Sequence, residues 1–136
     1  MTLDLGDVQG TILQGYRVDH ARHFVLRVLT AAGARAFLRS LVDPASGMVQ
    51  ITTAARWTVK PTSFLNVGIT AAGLAALGQP LDGFPAAFRR GATDEATAQL
   101  VGDVGASAPS QWLDGFADGT RAHLVLSSAS ASVDPA

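Results

Sequence analysis

The sequence predicts an α+β domain of the ferredoxin-like, split βαβ type. Three observations carry the prediction. The chain has 136 residues, 48% of them apolar and 15% charged, which suits one globular domain with a real core. Hydrophobic spacing switches between period two and helical period along it. The resulting order is strand, helix, strand, strand, helices, strand. Such an order closes a four-stranded antiparallel sheet with helices on one face and leaves the other face to be covered.

Residues 1–20 read as an irregular or short helical lead-in. "HFVLRVLT" (23–30) is rich in branched and aromatic residues and predicts a buried strand. In "AAGARAFLRSLV" (31–42), Ala34, Phe37, Leu38 and Leu41 recur at helical spacing, and "DPASG" (43–47) stops the helix. "VQITTAARWTV" (49–59) is β-prone and predicts a second strand, ended before Pro61. "SFLNVGI" (63–69) predicts a third. "TAAGLAALG" (70–78) begins with a capping Thr70 and closes at Gly78. "FPAAFRRG" (84–91) and "TDEATAQLVG" (93–102) predict two short helices, the second with Thr93 in an imperfect capping pattern. Residues 103–119 form a loop rich in Gly, Ser, Pro and Asp, in which Asp103 and Asp114 read as turn residues. "RAHLVLSS" (121–128) predicts the last strand. The domain thus spans 1–128, and "ASASVDPA" (129–136) reads as a flexible tail. The plan makes the first and third strands parallel neighbours, with the last strand antiparallel beside the first.

Composition narrows the function classes. The net charge is −1 and Lys60 is the single lysine, so neither a nucleic-acid nor an acidic-membrane partner is expected. The absence of cysteine excludes disulfides, thiolate metal sites and cysteine nucleophiles. No basic, apolar leader opens the sequence and no run of 18 apolar residues occurs, so a cytoplasmic protein is the expectation, and the abundance of Ala and Gly points to a GC-rich bacterial source.

Alternation also assigns the strand faces. Phe24, Leu26, Val28, Leu65, Val67, Ile69, Leu124 and Leu126 should pack on the helices. The opposite face collects His23, Arg27, Asn66, His123 and Ser127, with Arg27 near His123 and His23 near Ser127. Closed by a partner, that face makes a pocket in which histidine can act as acid or base and arginine can hold an anion. Docking against another sheet is the simpler reading of the same residues. The candidate site residues are His23, Arg27, Asn66 and His123, serving a small, largely apolar ligand. No metal site is expected, because two histidines on neighbouring strands supply at most half a first shell.

Eight segments, in order, resemble dye-decolorizing (DyP-type) peroxidases: "DVQGTILQGY" (7–16), "ARHFVLRV" (21–28), "AGARAFLRSLV" (32–42), "TTAARW" (52–57), "LNVGITAAGLAALG" (65–78), "FPAAFRRG" (84–91), "GDVGASAPSQW" (102–112) and "AHLVL" (122–126). The resemblance covers residues 6–128 and departs from the family at "ATDEATAQ" after Gly91. It implies the first of two ferredoxin-like halves that pack sheet to sheet around a haem. The proximal histidine and distal arginine of that family fall in the second half, and His20, His23 and His123 do not match the former. "GFADG" (115–119) spells the family's distal Gly-x-x-Asp-Gly motif. It precedes "AHLVL", whereas the motif follows that strand, so it reads as a turn with Asp118-Gly119 at its tip.

These readings leave three functions. A haem-free homodimer could pair through the sheet faces into a dimeric α+β barrel enclosing a small-molecule site. A subunit or fragment of a haem peroxidase could take its missing half from a second chain and then oxidise dyes or phenols with hydrogen peroxide. A non-catalytic interaction domain is the third. No cofactor is expected in the isolated chain, and haem is expected if the second half is supplied.

Overall fold

A computed structural model describes residues 2–113 and 115–131. Asp114 and residues 132–136, the end of the expected tail, lie outside the described residues. The chain is α+β. Its strands are β1 (His20–Leu26), β2 (Ser63–Ile69) and β3 (Leu124–Ser130), and its helices are α1 (Gly10–Leu13), α2 (Ala31–Ser40), α3 (Ala71–Ala76), α4 (Ala86–Arg90) and α5 (Glu95–Val101). The sheet has three strands in the order β1-β3-β2. The last strand is therefore central, between the two strands expected to be direct neighbours. The His123 amide donates to the Leu26 carbonyl and the Thr70 amide to the His123 carbonyl, at the start of β3.

Contacts divide the chain into two compact units. One comprises the chain up to Phe24, Ala36–Val67 and the chain from Leu126; the other comprises Val25–Arg35 and Gly68–Val125.

In the first unit the expected strand over 49–59 is absent. Its backbone serves two neighbours in turn. The Thr52 amide donates to the Leu65 carbonyl, the Ala54 amide to the Val8 carbonyl, and the Thr52 carbonyl accepts from Gly10. Only an isolated antiparallel bridge, Gln9 with Thr53, results. A ladder needs successive groups to face one partner strand, and here they do not. The core of this unit is Leu41, Ala54, Phe64 and Leu65. Phe64 is 1% exposed. Its ring stacks on Tyr16 at 4.0 Å and 14°, and Trp57 lies tilted at 5.4 Å. The lead-in thus supplies a wall of the core.

In the second unit β1 gives way before the expected residue 30. The Val28 amide donates to His123 Nδ1 at 2.9 Å, a side chain where a ladder would need a carbonyl. Leu29 is 86% exposed. At the other end of the sheet, β3 runs to Ser130, two residues into the expected tail. The helical stretch after β2 matches its prediction: Thr70 Oγ1 accepts from the Gly73 amide at 3.0 Å and donates to the Ala122 carbonyl at 2.8 Å. α5 is capped by Asp94 rather than by Thr93: Asp94 Oδ1 accepts from the Thr97 amide at 3.0 Å. The Arg90 guanidinium lies 3.0 Å from the same oxygen. Hydrogen bonding to Thr97 is the main reason that the Asp94 carboxyl lies below its ordinary 3.8, with Arg90 helping and partial desolvation opposing. Among the described residues, no helix is long and apolar enough to cross a membrane.

Gly73 sits where α3 passes the chain entering β3. A Cβ there would overlap the His123 carbonyl oxygen. Helix propensity alone predicts that Gly73→Ala gains about 1 kcal/mol. The close approach predicts the opposite sign, a loss of about 1–3 kcal/mol, read as a lower urea midpoint. Thr70→Ala should cost about 1 kcal/mol through the lost cap.

Candidate functional site

The four residues singled out from the sequence fall two in each unit, and none hydrogen-bonds to another among the described residues. His23 and Asn66 belong to the first. His23 is exposed on β1, and its Nδ1 lies 2.8 Å from Ser127 Oγ on β3, the cross-strand neighbour that antiparallel pairing requires. Asn66 is only 9% exposed, contrary to the expectation of an open face. The Tyr16 hydroxyl reaches over it and donates to Oδ1 at 2.8 Å. The cause is the same lead-in: Tyr16 packs its ring on Phe64 and its hydroxyl on Asn66, two residues that share one face of β2.

Two further residues of the first unit were missed from sequence. Gln9 pairs with the backbone of Val67 as a strand would, accepting its amide at 2.8 Å and donating to its carbonyl at 2.9 Å. Thr52 does the same at Leu65, with Oγ1 accepting the Leu65 amide at 3.0 Å and the Thr52 amide donating to the Leu65 carbonyl at 2.9 Å. Outward-facing groups of β2 are thus satisfied by two side chains and one amide. The only hint in the sequence is a polar residue, Gln9, embedded in the short apolar run of "DVQGTIL".

Arg27 and His123 belong to the second unit. Arg27 is exposed. His123 is 8% exposed, again contrary to expectation, and both ring nitrogens are engaged. Nδ1 accepts from the Val28 amide, so it carries no proton, and Nε2 then donates to the Thr120 carbonyl at 2.6 Å. This ring ties the end of β1 to the turn that leads into β3. That turn is "GFADG". Asp118 Oδ1 accepts from the Thr120 amide at 2.8 Å and from its hydroxyl at 3.2 Å, an Asx-type turn. Gly119 has φ +67°, and a Cβ there would strike Thr93. The Thr120 amide is also the main cause holding the Asp118 carboxyl below its ordinary 3.8, with Arg121 adding to it against partial desolvation.

Cavities among the described residues include the following three. One of about 380 Å³ is bounded by Leu81, Arg89, Arg90, Trp112, Phe116 and Val125. One of about 370 Å³ lies between Gln9, Leu41, Gln50 and Thr53, and one of about 460 Å³ between Thr93, Gln99, Asp103 and Ser110. None of the three includes a histidine, Arg27 or Asn66. Among the described residues no cluster of three or more metal-ligating side chains occurs. Among the described residues, the histidines do not by themselves fit the axial ligand of a haem. An axial histidine needs a free ring nitrogen facing an enclosed, apolar space. His123 has no free nitrogen, and His20 and His23 stand exposed on β1.

No protein-family model matches the chain, and no curated protein matches it. Solved structures do. A dye-decolorizing peroxidase in complex with 2,6-dimethoxyphenol is 31% identical with a TM-score of 0.77, over 96% of this chain and 28% of that one. A fungal DyP-type peroxidase from Auricularia auricula-judae is 25% identical with a TM-score of 0.77, over 97% of this chain and 28% of that one. A dye-decolorizing peroxidase with an engineered haem pocket, used for asymmetric sulfoxidation, is 25% identical with a TM-score of 0.75 and is covered over 27% of its length. The structural neighbours of this chain are DyP-type peroxidases, and it resembles their N-terminal ferredoxin-like part. It spans little more than a quarter of their length.

His123→Ala should remove the partners of the Val28 amide and the Thr120 carbonyl together and cost about 1–3 kcal/mol in urea unfolding. His23→Ala, at an exposed position, should stay within about 0.5 kcal/mol of the parent. Asp118 has a folded value below its unfolded one, so its contribution to stability is present at neutral pH and is lost as pH falls through the folded value. Asp118→Asn should therefore be less stable than the parent at pH 7, and the two should converge on acidification below the ordinary 3.8. A gap that persists at pH 2 contradicts this assignment.

Proposed function

We propose that this chain is one folding segment of a DyP-type haem peroxidase, completed by polypeptide that it does not itself contain. The observation that carries the reading is the coverage: 96% of this chain is matched, against 28% of the most identical of these neighbours. The absence of a fitting haem ligand among the described residues supports the same division of labour. In this reading haem and its ligand come with the remaining polypeptide, and peroxide-driven oxidation of dyes or phenols belongs to the completed protein. The contribution of this chain is a preformed sheet on which the remainder assembles.

A second reading has one observation in its favour. His23 and Arg27 are exposed, and His23 is already oriented by Ser127. A homodimer that covered His23 could enclose a haem-free, small-molecule site in which His23 is the acid or base. Size-exclusion chromatography with light scattering separates the readings, because a monomer at micromolar concentration contradicts the homodimer.

The primary reading is tested by titrating the chain with haemin, alone and with a polypeptide covering the other three quarters of a DyP-type peroxidase. The isolated chain should give no stoichiometric Soret band. The mixture should give one, together with peroxide-dependent oxidation of 2,6-dimethoxyphenol. A stoichiometric, peroxide-responsive Soret band from the chain alone would falsify the reading.

A further inference from the structure

We infer that the outer edge of β1 is a strand-addition site, and that its occupant is an extended, acidic segment of the completing polypeptide. The inference rests on the reading that this sheet is finished by another segment; it does not depend on haem. A three-stranded sheet in the order β1-β3-β2 has two outer edges. The β2 edge is closed, because Gln9 and Thr52 satisfy the amides and carbonyls of Leu65 and Val67. Among the described residues, the β1 edge carries no such cover. Every residue from His20 to Val25 is exposed, and Phe24 remains 48% exposed. The Leu26 carbonyl faces β3, so alternation turns the backbone groups of Ala21, His23 and Val25 outward. Soluble proteins blunt such edges with proline, bulges or covering loops, and an unblunted edge is a template for another strand.

Charge selects the occupant. Residues 20–42 contain four arginines and two histidines and no carboxylate, although the chain carries 11 Asp and Glu in all. Arg22 has no ion-pair partner among the described residues. Pairing β1 with a second copy of itself would set two arginine-bearing, carboxylate-free strands together, which opposes that assembly. A strand with acidic side chains at alternate positions meets Arg22 favourably, and the apolar residues between them meet Ala21 and Val25 on the other face.

The test uses the full chain, without haemin, and two blocked heptapeptides of alternating sequence, one glutamate–valine and one lysine–valine. Amide chemical shifts are followed by NMR. The acidic peptide should shift the amides of Ala21, His23 and Val25 saturably and leave those of Leu65 and Val67 unmoved, and the basic peptide should bind more weakly. Ala21→Pro removes an outward amide without touching the β3 ladder, and should abolish binding while the Leu65 and Val67 amides keep their shifts. Arg22→Glu should reverse the preference between the peptides by a few-fold. Equal response to both peptides, no response, or shifts at Leu65 and Val67 would overturn the inference. Concentration-dependent burial of the β1 amides without peptide would replace the acidic segment by a second copy. Peptide binding without reconstituted peroxidase activity leaves the edge site standing and removes the peroxidase reading; activity without peptide binding does the reverse.

Discussion

A β-sheet edge exposes a row of amides and carbonyls that must be hydrogen-bonded to something. Among the described residues, side chains of this chain meet that demand on the β2 edge and not on the β1 edge. Gln9 and Thr52 lie against β2 and take the place of a fourth strand at Leu65 and Val67. Much of the first unit follows from that closure. Residues 49–59 do not form the expected ladder, because Thr52 already spends its hydroxyl and amide on Leu65. The lead-in is held down because Gln9 is fixed at Val67, and it brings Tyr16 onto Phe64 and Asn66.

The second unit rests on a side chain used as backbone in the same way. His123 accepts the Val28 amide and donates to the Thr120 carbonyl, so it ends β1 and fixes the turn before β3. Asp118 organises that turn from within, through Thr120. With both ring nitrogens hydrogen-bonded, His123 links the end of β1 to the turn before β3.

How much of this was legible in the sequence can be told residue by residue. Period-two alternation placed β1, β2 and β3 to within a few residues, and antiparallel pairing placed His23 beside Ser127, because both depend on local pattern. Thr70 and Gly78 marked the ends of the α3 stretch for the same reason. Chain order demoted "GFADG" to a turn, and its Asx geometry agrees. Burial was read less well. Asn66 and His123 lie on the face that alternation left open, yet both are buried, one under Tyr16 and the other between Val28 and Thr120. Strand order failed likewise. Side chains that imitate backbone, as Gln9, Thr52 and His123 do, leave no periodic trace, so neither the missing strand nor the central place of β3 could be read from spacing.

Among the described residues, the sheet of this chain is covered at its β2 edge and uncovered at its β1 edge. Native-state hydrogen exchange on the isolated protein tests that asymmetry most directly. The account predicts slow exchange for the Leu65 and Val67 amides, held by Thr52 and Gln9, and fast exchange for Ala21, His23 and Val25. Equal protection of the two edges, or faster exchange at Leu65 and Val67, would contradict it.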